Sequence, residues 1–203
     1  MKGFFVFLAL SAMPVATAGE FDYHLEASRF QGEITDGGLD FDGLELRGGK
    51  AFGNWLVFAG YERIDLEPIG IAGLLRFETG SESIRIGGGY AWPVHDRIDV
   101  VSGAGLVKAS IHTDVIELSN GNDVSIVPDE SDNGYFVILG LRGRFSERLE
   151  GEFRHRFTNV LKDRANDWRV DIRYAFTPAL AAGVSHRDFE GDTATGVSLR
   201  WNF

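Results

Sequence analysis

The sequence has no cysteine among its 203 residues and only four lysines. Without thiols the chain cannot form a disulfide framework or a thiolate metal site. Proline is also scarce, at 5 residues against 26 glycines. The formal net charge of −10 argues against nucleic acid and against anionic membrane surfaces as partners. The length suits one domain of ordinary size or one barrel.

Long hydrophobic runs are absent as well. The most apolar stretch, about ten residues, follows Lys2 and is too short to cross a ~30 Å hydrocarbon core as a helix. Small residues at Ala16 and Ala18 come next. This order is typical of a secretory signal peptide. We therefore predict a signal peptide over residues 1–18 and one mature domain over residues 19–203.

Most of the mature sequence alternates between apolar and polar residues with a period of two. In 168–176, Trp, Val, Ile, Tyr and Phe occupy one face, and Arg, Asp, Arg and Ala occupy the other. Such alternation defines a strand with two different faces. The same pattern occurs in 43–52, 83–92, 148–158 and 193–203. In 54–66 and 134–145 both faces are partly apolar, so the register of those two segments stays open.

Short turns follow aromatic residues at four points, after Phe52, Trp92, Phe145 and Phe176. Phe203 is a fifth such stop. Longer polar stretches, which we expect to be loops, lie between the stops around 32–42, 68–81, 114–134, 159–167 and 191–192. Short turns at one end, longer loops at the other and aromatic residues beside the short turns are typical of an outer-membrane barrel. Because each stop closes one up-and-down pair, we predict an all-β fold, an antiparallel up-and-down transmembrane β-barrel of about ten strands. Eight strands are the alternative.

A soluble periplasmic β-barrel or sandwich is the competing interpretation, because alternation alone does not say which face points inward. Against it, the aromatic residues cluster at strand ends and the mixed face is rich in arginine. A soluble exterior uses lysine at least as readily as arginine. This chain has 16 arginines and four lysines, so its composition favours the membrane barrel.

The chain resembles the small single-chain outer-membrane β-barrels of Gram-negative bacteria, the OmpA/OmpX-like group. The specific motif is the last strand, in which Leu199, Trp201 and Phe203 share one face. The resemblance implies that these three residues form the assembly signal read by the barrel assembly machinery. It also implies a monomer in the outer membrane, in contact with outer-membrane lipid and lipopolysaccharide. The commonest relatives have eight strands, and OmpA carries a further peptidoglycan-binding domain.

The inward face of such a barrel would hold a lumen charge network. Arginine pairs bidentately with carboxylates and tolerates partial burial better than lysine. A barrel of this size is only just wide enough for its own side chains, so we expect a salt-bridged, plugged lumen. A narrow, weakly anion-preferring pore is the alternative. The predicted network comprises Glu45, Arg47, Arg85, Asp99, Arg142, Arg144, Glu150, Glu152, Arg154, Arg156, Arg169, Asp171, Arg173 and Arg200, with Asp22 and Glu26 joining from the first strand.

Two histidine–aspartate pairs raise the question of catalysis. His112 with Asp114, and His186 with Asp188, fall near the outer ends of their strands and could polarise a water. The chain lacks the His-x-Ser-Asn run of the outer-membrane deacylases that it otherwise resembles in size. We predict no catalytic residues, although a lipid-modifying enzyme remains a further alternative.

A metal site is not predicted either, and no cofactor is expected. Residues 129–134 imitate the start of a calcium loop, but Gly140 stands where a bidentate Glu would be needed. The function that this sequence favours is non-enzymatic: a structural, adhesion or surface-interaction role, with a narrow small-solute pore as the alternative.

Deleting Phe203 should reduce the folded outer-membrane population and leave export intact, because the signal peptide is unchanged. The last strand is expected to close the barrel against the first, so its edge has to stay recognisable until closure. A closed barrel resists detergent until it is heated, so gels of unheated and boiled samples measure the folded fraction. Deletion of Ser125 from the acidic polar stretch 114–134, predicted to be a loop, is the control, since loops tolerate change. Equal assembly of the Phe203 deletion and the parent in cells would contradict this role.

Overall fold

The computed structural model describes residues 23–35, 38–71, 75–117, 122–123, 129–161 and 163–203. The predicted signal peptide and Asp22 lie outside these residues. Every regular element within them is a strand. In this part of the chain no helix is long and apolar enough to cross a membrane.

The structure has twelve strand segments, and the segments with period-two alternation lie within the long ones, since that pattern suits a surface with two different faces. Ten are long and two, β4 and β7, are short. They are β1 (Tyr23–Ile34), β2 (Leu39–Phe52), β3 (Trp55–Leu66), β4 (Ile69–Ile71), β5 (Leu75–His95), β6 (Ile98–Glu117), β7 (Asn122–Asp123), β8 (Glu130–Arg144), β9 (Leu149–Val160), β10 (Asp163–Thr177), β11 (Leu180–Phe189) and β12 (Asp192–Asn202).

The ten long strands form one closed antiparallel barrel. Around the ring the strands follow the order β1-β2-β3-β5-β6-β8-β9-β10-β11-β12. Each long strand thus pairs with the next long strand in the sequence. Strand β12 then pairs with β1, with Ala27 opposite Leu199 and His24 opposite Asn202. The predicted fold class is confirmed, and the strand count is ten rather than eight.

The two ends of the barrel differ. The predicted short turns lie at one end, which we call the short-turn end. There the β2–β3 turn has only two residues, and Gly53 takes a φ of +62°, in the left-handed region that glycine adopts without strain. The opposite end, which we call the long-loop end, carries the projecting strands described next.

The hairpin of β5 and β6 projects beyond its neighbours at the long-loop end. Strand β3 stops pairing with β5 at Gly80, and β8 stops pairing with β6 at Ile111. Beyond those points β5 and β6 continue to pair with each other as far as Leu75 and Glu117. The expectation of long polar loops over 68–81 and 114–134 is therefore wrong in large part, because paired strand occupies much of both. The short segments β4 and β7 flank this projection.

The outward face carries a continuous apolar belt. Its aliphatic side chains are about half exposed or more, and rings such as Trp55 and Tyr90, 5.1 Å apart, crowd the short-turn end. An apolar exterior around a charged interior is the reverse of a soluble barrel and is the arrangement of a lipid-facing one. The belt includes Leu25, Leu44, Leu46, Val57, Ile84, Ile86, Leu106, Val137, Leu139, Leu141, Ile172, Val184, Val197 and Leu199, with Phe52, Trp55, Trp92, Phe145, Tyr174, Phe176, Trp201 and Phe203 toward the short-turn end.

Candidate functional site

All fourteen residues of the predicted charge network lie on the inward faces of their strands. Twelve are buried, whereas Arg144 and Glu150 are half-buried. Glu26, from the first strand, is also buried and inward. The barrel therefore brings side chains from strands that are far apart in sequence into one lumen.

Three further charged residues, Glu62, Asp167 and Arg187, belong to the same interior and were missed in the sequence. Glu62 lies on β3, whose register the sequence left open. Asp167 extends the alternation of 168–176 by one residue, whereas Arg187 lies on β11, in which no alternation was identified in the sequence. Among the described residues the lumen then holds ten arginines (Arg47, Arg85, Arg142, Arg144, Arg154, Arg156, Arg169, Arg173, Arg187 and Arg200) and eight carboxylates (Glu26, Glu45, Glu62, Asp99, Glu150, Glu152, Asp167 and Asp171).

A chain of ion pairs crosses the middle of the lumen. Arg169 donates to Asp171 from Nε at 2.9 Å and to Glu45 Oε2 from Nη1 at 2.8 Å. Arg47 contacts the same Glu45 oxygen at 3.4 Å and pairs closely with Glu26. These side chains come from β1, β2 and β10, so the ion pairs connect strands up to four positions apart around the ring and not only adjacent strands.

Arg173 is the most connected cation of this network. Its Nη1 lies 3.0 Å from Glu152 Oε2 and 3.3 Å from Glu150 Oε1. Its Nε lies 3.5 Å from Glu26 Oε1, and its Nη2 lies 3.6 Å from Asp171 Oδ2. One planar guanidinium thus contacts four carboxylates. The single ammonium of lysine could not reproduce this geometry.

The network continues to the short-turn end. Arg200 Nη1 lies 2.5 Å from Glu150 Oε1. Cross-strand pairing sets Asp99 opposite Arg142, and Arg144 opposite Glu150. Opposite charges directly across a ladder stabilise the sheet, so this end of the lumen is also filled by paired side chains.

Toward the long-loop end, Arg85, Arg156 and Arg187 contact fewer carboxylates than Arg173 does. Arg187 Nη2 donates to Glu62 Oε2 at 2.9 Å, and Arg85 Nη2 lies 3.5 Å from that same oxygen. Arg156 pairs closely with Asp167. Arg187 and Arg85 therefore share the Glu62 carboxylate, whereas Arg156 pairs with Asp167.

A phenylalanine cap covers Arg187 toward the long-loop end. Phe30, Phe41 and Phe189 pack together, with the Phe41 ring centroid 6.4 Å from each of the other two. The Arg187 guanidinium lies 4.5 Å from the Phe30 centroid and 4.9 Å from that of Phe189, so it stacks under the cap. Glycine at position 43 makes room for the cap, because a Cβ there would lie 2.1 Å from the Phe30 ring.

One side of the lumen is apolar. Phe58 and Phe136, with ring centroids 5.9 Å apart, lie at its centre. We call this cluster the apolar wall; its members are Ala51, Leu56, Phe58, Ala91, Val101, Val107, Ala109, Phe136, Ile138 and Val160. The ambiguous register of β3 and β8 arises here, because these strands place apolar residues both inward against the wall and outward against lipid.

The long-loop end carries an acidic cleft of about 980 Å³. It lies against the outer ends of β12, β1, β2 and β3 and the projecting β5–β6 hairpin, and its basic side chains are Arg63, Arg76 and His112. Arg63 and Arg76 each pair with a cleft carboxylate at 2.9 Å, Asp65 and Glu78 respectively. The seven lining carboxylates are Glu33, Asp40, Asp42, Asp65, Glu67, Glu78 and Asp114.

A second groove, of about 670 Å³, runs over β10, β11, β12 and β1. Aliphatic side chains, among them Val184 and Val197, line part of it. Arg29, Gln31 and His186 add polar groups to the same lining. The groove therefore combines an apolar surface with a cationic side chain.

Of the predicted assembly residues, Leu199 and Trp201 lie on β12 and Phe203 follows its last residue. Leu199, Trp201 and Phe203 are 44%, 51% and 67% exposed, which places their side chains in the apolar belt. The pairing of β12 with β1 makes this strand the closing seam of the barrel.

The histidine–aspartate pairs lie on strand faces at the long-loop end, and the His186 ring packs 5.4 Å from that of Trp168. Within the described ranges no group of three or more His, Asp or Glu side chains is arranged to hold a metal ion. Residues 130–134, at the centre of the calcium-loop resemblance, begin strand β8 instead.

No protein-family model matches this sequence, and neither does any curated protein. Several solved structures match it. The translocator domain of the autotransporter NalP from Neisseria meningitidis superposes with a TM-score of 0.53 at 11% identity, over 93% of this chain and 91% of that one. Ail, the attachment invasion locus protein of Yersinia pestis, in complex with the heparin analogue sucrose octasulfate, has a TM-score of 0.49 at 10% identity, over 90% and 100% of the two chains. The NanC porin has a TM-score of 0.47 at 9% identity, over 89% and 100%.

The similarity to the NalP translocator domain concerns the fold and agrees with the closed ring of strands and the apolar belt. The chain is a small β-barrel of the outer-membrane type.

Replacing Arg173 by Met should lower the free energy of unfolding by about 3–5 kcal/mol, because buried carboxylates lose their shared cation. Urea unfolding in lipid vesicles, followed by tryptophan fluorescence, measures this loss. Arg63→Met is the matched control: its pair with Asp65 is about half exposed, and such pairs contribute roughly 0–1 kcal/mol. Equal losses in the two variants would show that the lumen network does not stabilise the barrel.

Proposed function

We propose that this protein is a non-enzymatic outer-membrane barrel whose lumen is closed to solutes and which acts through its outer surface. The observation that carries the proposal is the filled interior: a cross-lumen arginine–carboxylate network, a phenylalanine cap and an apolar wall. Side chains just fill a barrel of about eight strands, and open channels belong to much larger ones. A structural or surface-interaction role therefore suits this interior better than transport.

The projecting hairpin and the acidic cleft are the features available for such a role. In the proposed orientation the short turns face the periplasm and the long-loop end faces outward. Seven carboxylates against two arginines make the cleft electronegative, which favours cationic surface partners and steers them toward the barrel. Adhesion or contact with a basic surface molecule is the proposed outcome.

Outer-membrane lipid and lipopolysaccharide are the proposed partners along the sides of the barrel. An acyl chain fits against Val184 and Val197 in the lipid-facing groove, with an anionic headgroup near Arg29. Arg29 is 69% exposed and also contacts Asp42 at 3.2 Å, so it is accessible to a headgroup. Leu199, Trp201 and Phe203 are proposed to serve the assembly machinery first and to contact lipid afterwards.

In planar lipid bilayers the folded protein should produce no stable channels, or a conductance far below that of a general porin in the same apparatus. Closely packed ion pairs leave little room for hydrated ions, and the phenylalanine cap adds an apolar constriction. Single-channel recording makes the measurement, with a heat-denatured sample as the blank. Large, stable channels would favour the small-solute pore and contradict the closed lumen.

Neutralising the acidic cleft should weaken binding of a cationic probe. The variant Glu33→Gln/Asp114→Asn removes two lining carboxylates, and its affinity for a hexalysine peptide should fall about two- to thirtyfold, since exposed ion pairs contribute roughly 0.2–1 kcal/mol each. Binding to protein in nanodiscs is measured by fluorescence anisotropy and should weaken with salt. The control is Glu147→Gln, an exposed residue in the β8–β9 turn at the opposite end.

If the double variant and Glu147→Gln bind hexalysine as tightly as the parent, the cleft does not attract cations. The proposed surface role would then have to rest on the projecting hairpin alone.

A further inference from the structure

The described lumen has an excess of cations: ten arginines face eight carboxylates. Arginine stays protonated in proteins, so this imbalance cannot be removed by titration. The apolar wall and the phenylalanine cap lower the local dielectric, which makes an uncompensated charge costly. The excess therefore calls for an anion that the described side chains do not supply.

The excess is most evident around Glu62. Arg187 Nη2 at 2.9 Å and Arg85 Nη2 at 3.5 Å converge on the one oxygen, Glu62 Oε2. Two positive charges thus share one negative charge. Within the described part of the chain, none of the three guanidinium nitrogens of Arg85 has a hydrogen-bond partner, and neither do Nε and Nη1 of Arg187.

Both side chains are held away from bulk solvent. The Arg85 side chain is 0% exposed and that of Arg187 is 1% exposed. Phe30 and Phe189 cover Arg187, and Val107 of the apolar wall lies directly opposite Arg85 across the β5–β6 ladder. Water could accept the free N–H donors, but a neutral molecule would leave the charge uncompensated.

We propose that a small monovalent anion of the chloride class binds in the lumen between Arg85 and Arg187. The next carboxylates, Glu45 and Asp167, are already paired with Arg169 and Arg156. Arg85 and Arg187 therefore share Glu62 and keep an excess of one charge, which a monovalent anion cancels. The unpartnered N–H groups of both guanidiniums supply the donors that such an ion requires. The buried position beneath the cap selects for a small ion over a bulky organic one.

The first test compares unfolding midpoints in sodium chloride, sodium bromide and sodium gluconate at equal ionic strength. The midpoint in detergent, read from the heat-dependent shift on gels, should be higher by about 3 °C or more in chloride and bromide, because an ion that binds the folded state stabilises it. In Arg85→Met this difference should vanish. In Arg63→Met, which removes an exposed arginine outside the lumen, the difference should persist.

The second test locates the ion and does not depend on any variant. Crystals of the unmodified barrel grown in sodium bromide should show an anomalous scattering peak between Arg85 and Arg187. If Arg85→Met fails to fold, this measurement and the salt comparison on the parent still test whether the anion binds. Equal midpoints in chloride and gluconate, or no anomalous peak at this position, would overturn the proposal.

Discussion

The whole structure depends on the pairing of every strand edge in one closed ring. Lipid offers no partner to a backbone N–H or C=O group, so a sheet that faces lipid has to close on itself. Here the ring closes when β12 pairs with β1 over ten residue positions, from His24–Asn202 to Glu33–Thr193. Once the ring is closed, each strand has one face toward lipid and one toward a lumen only as wide as ten strands allow.

That narrow lumen explains the choice of side chains inside it. A guanidinium presents several donors in a plane, so one arginine such as Arg173 can serve carboxylates from several strands at once. Phenylalanine rings fill the remaining apolar volume, and they need glycine opposite them: a Cβ at Gly105 would lie 2.6 Å from the Phe136 ring. The scarcity of lysine and the abundance of glycine thus have the same cause, the packing of large side chains within a small ring.

The interior and the ends of the barrel divide the functional possibilities. In the proposed function, the lumen crossed by ion pairs stabilises the barrel, and the exposed surfaces carry the activity. The short-turn end is compact and ringed with aromatic side chains, whereas the long-loop end extends into a paired hairpin beside an acidic cleft. This asymmetry is why the proposed activity is assigned to the long-loop end.

The sequence by itself predicted about ten strands, the short turns at one end and the inward position of most charged residues that line the lumen, because these follow from a local period of two. It left the registers of β3 and β8 open, since their apolar residues pack against the inner wall as well as lipid, and Glu62 was missed for that reason. Only the tertiary structure showed that β5 and β6 continue as a projecting hairpin, which depends on the pairing of residues such as Leu75 and Glu117. It also decided which arginine meets which carboxylate, because Arg187 reaches Glu62 across 125 positions of sequence. Such residues come together because the ring closes and its strands are staggered. A local sequence pattern predicts neither.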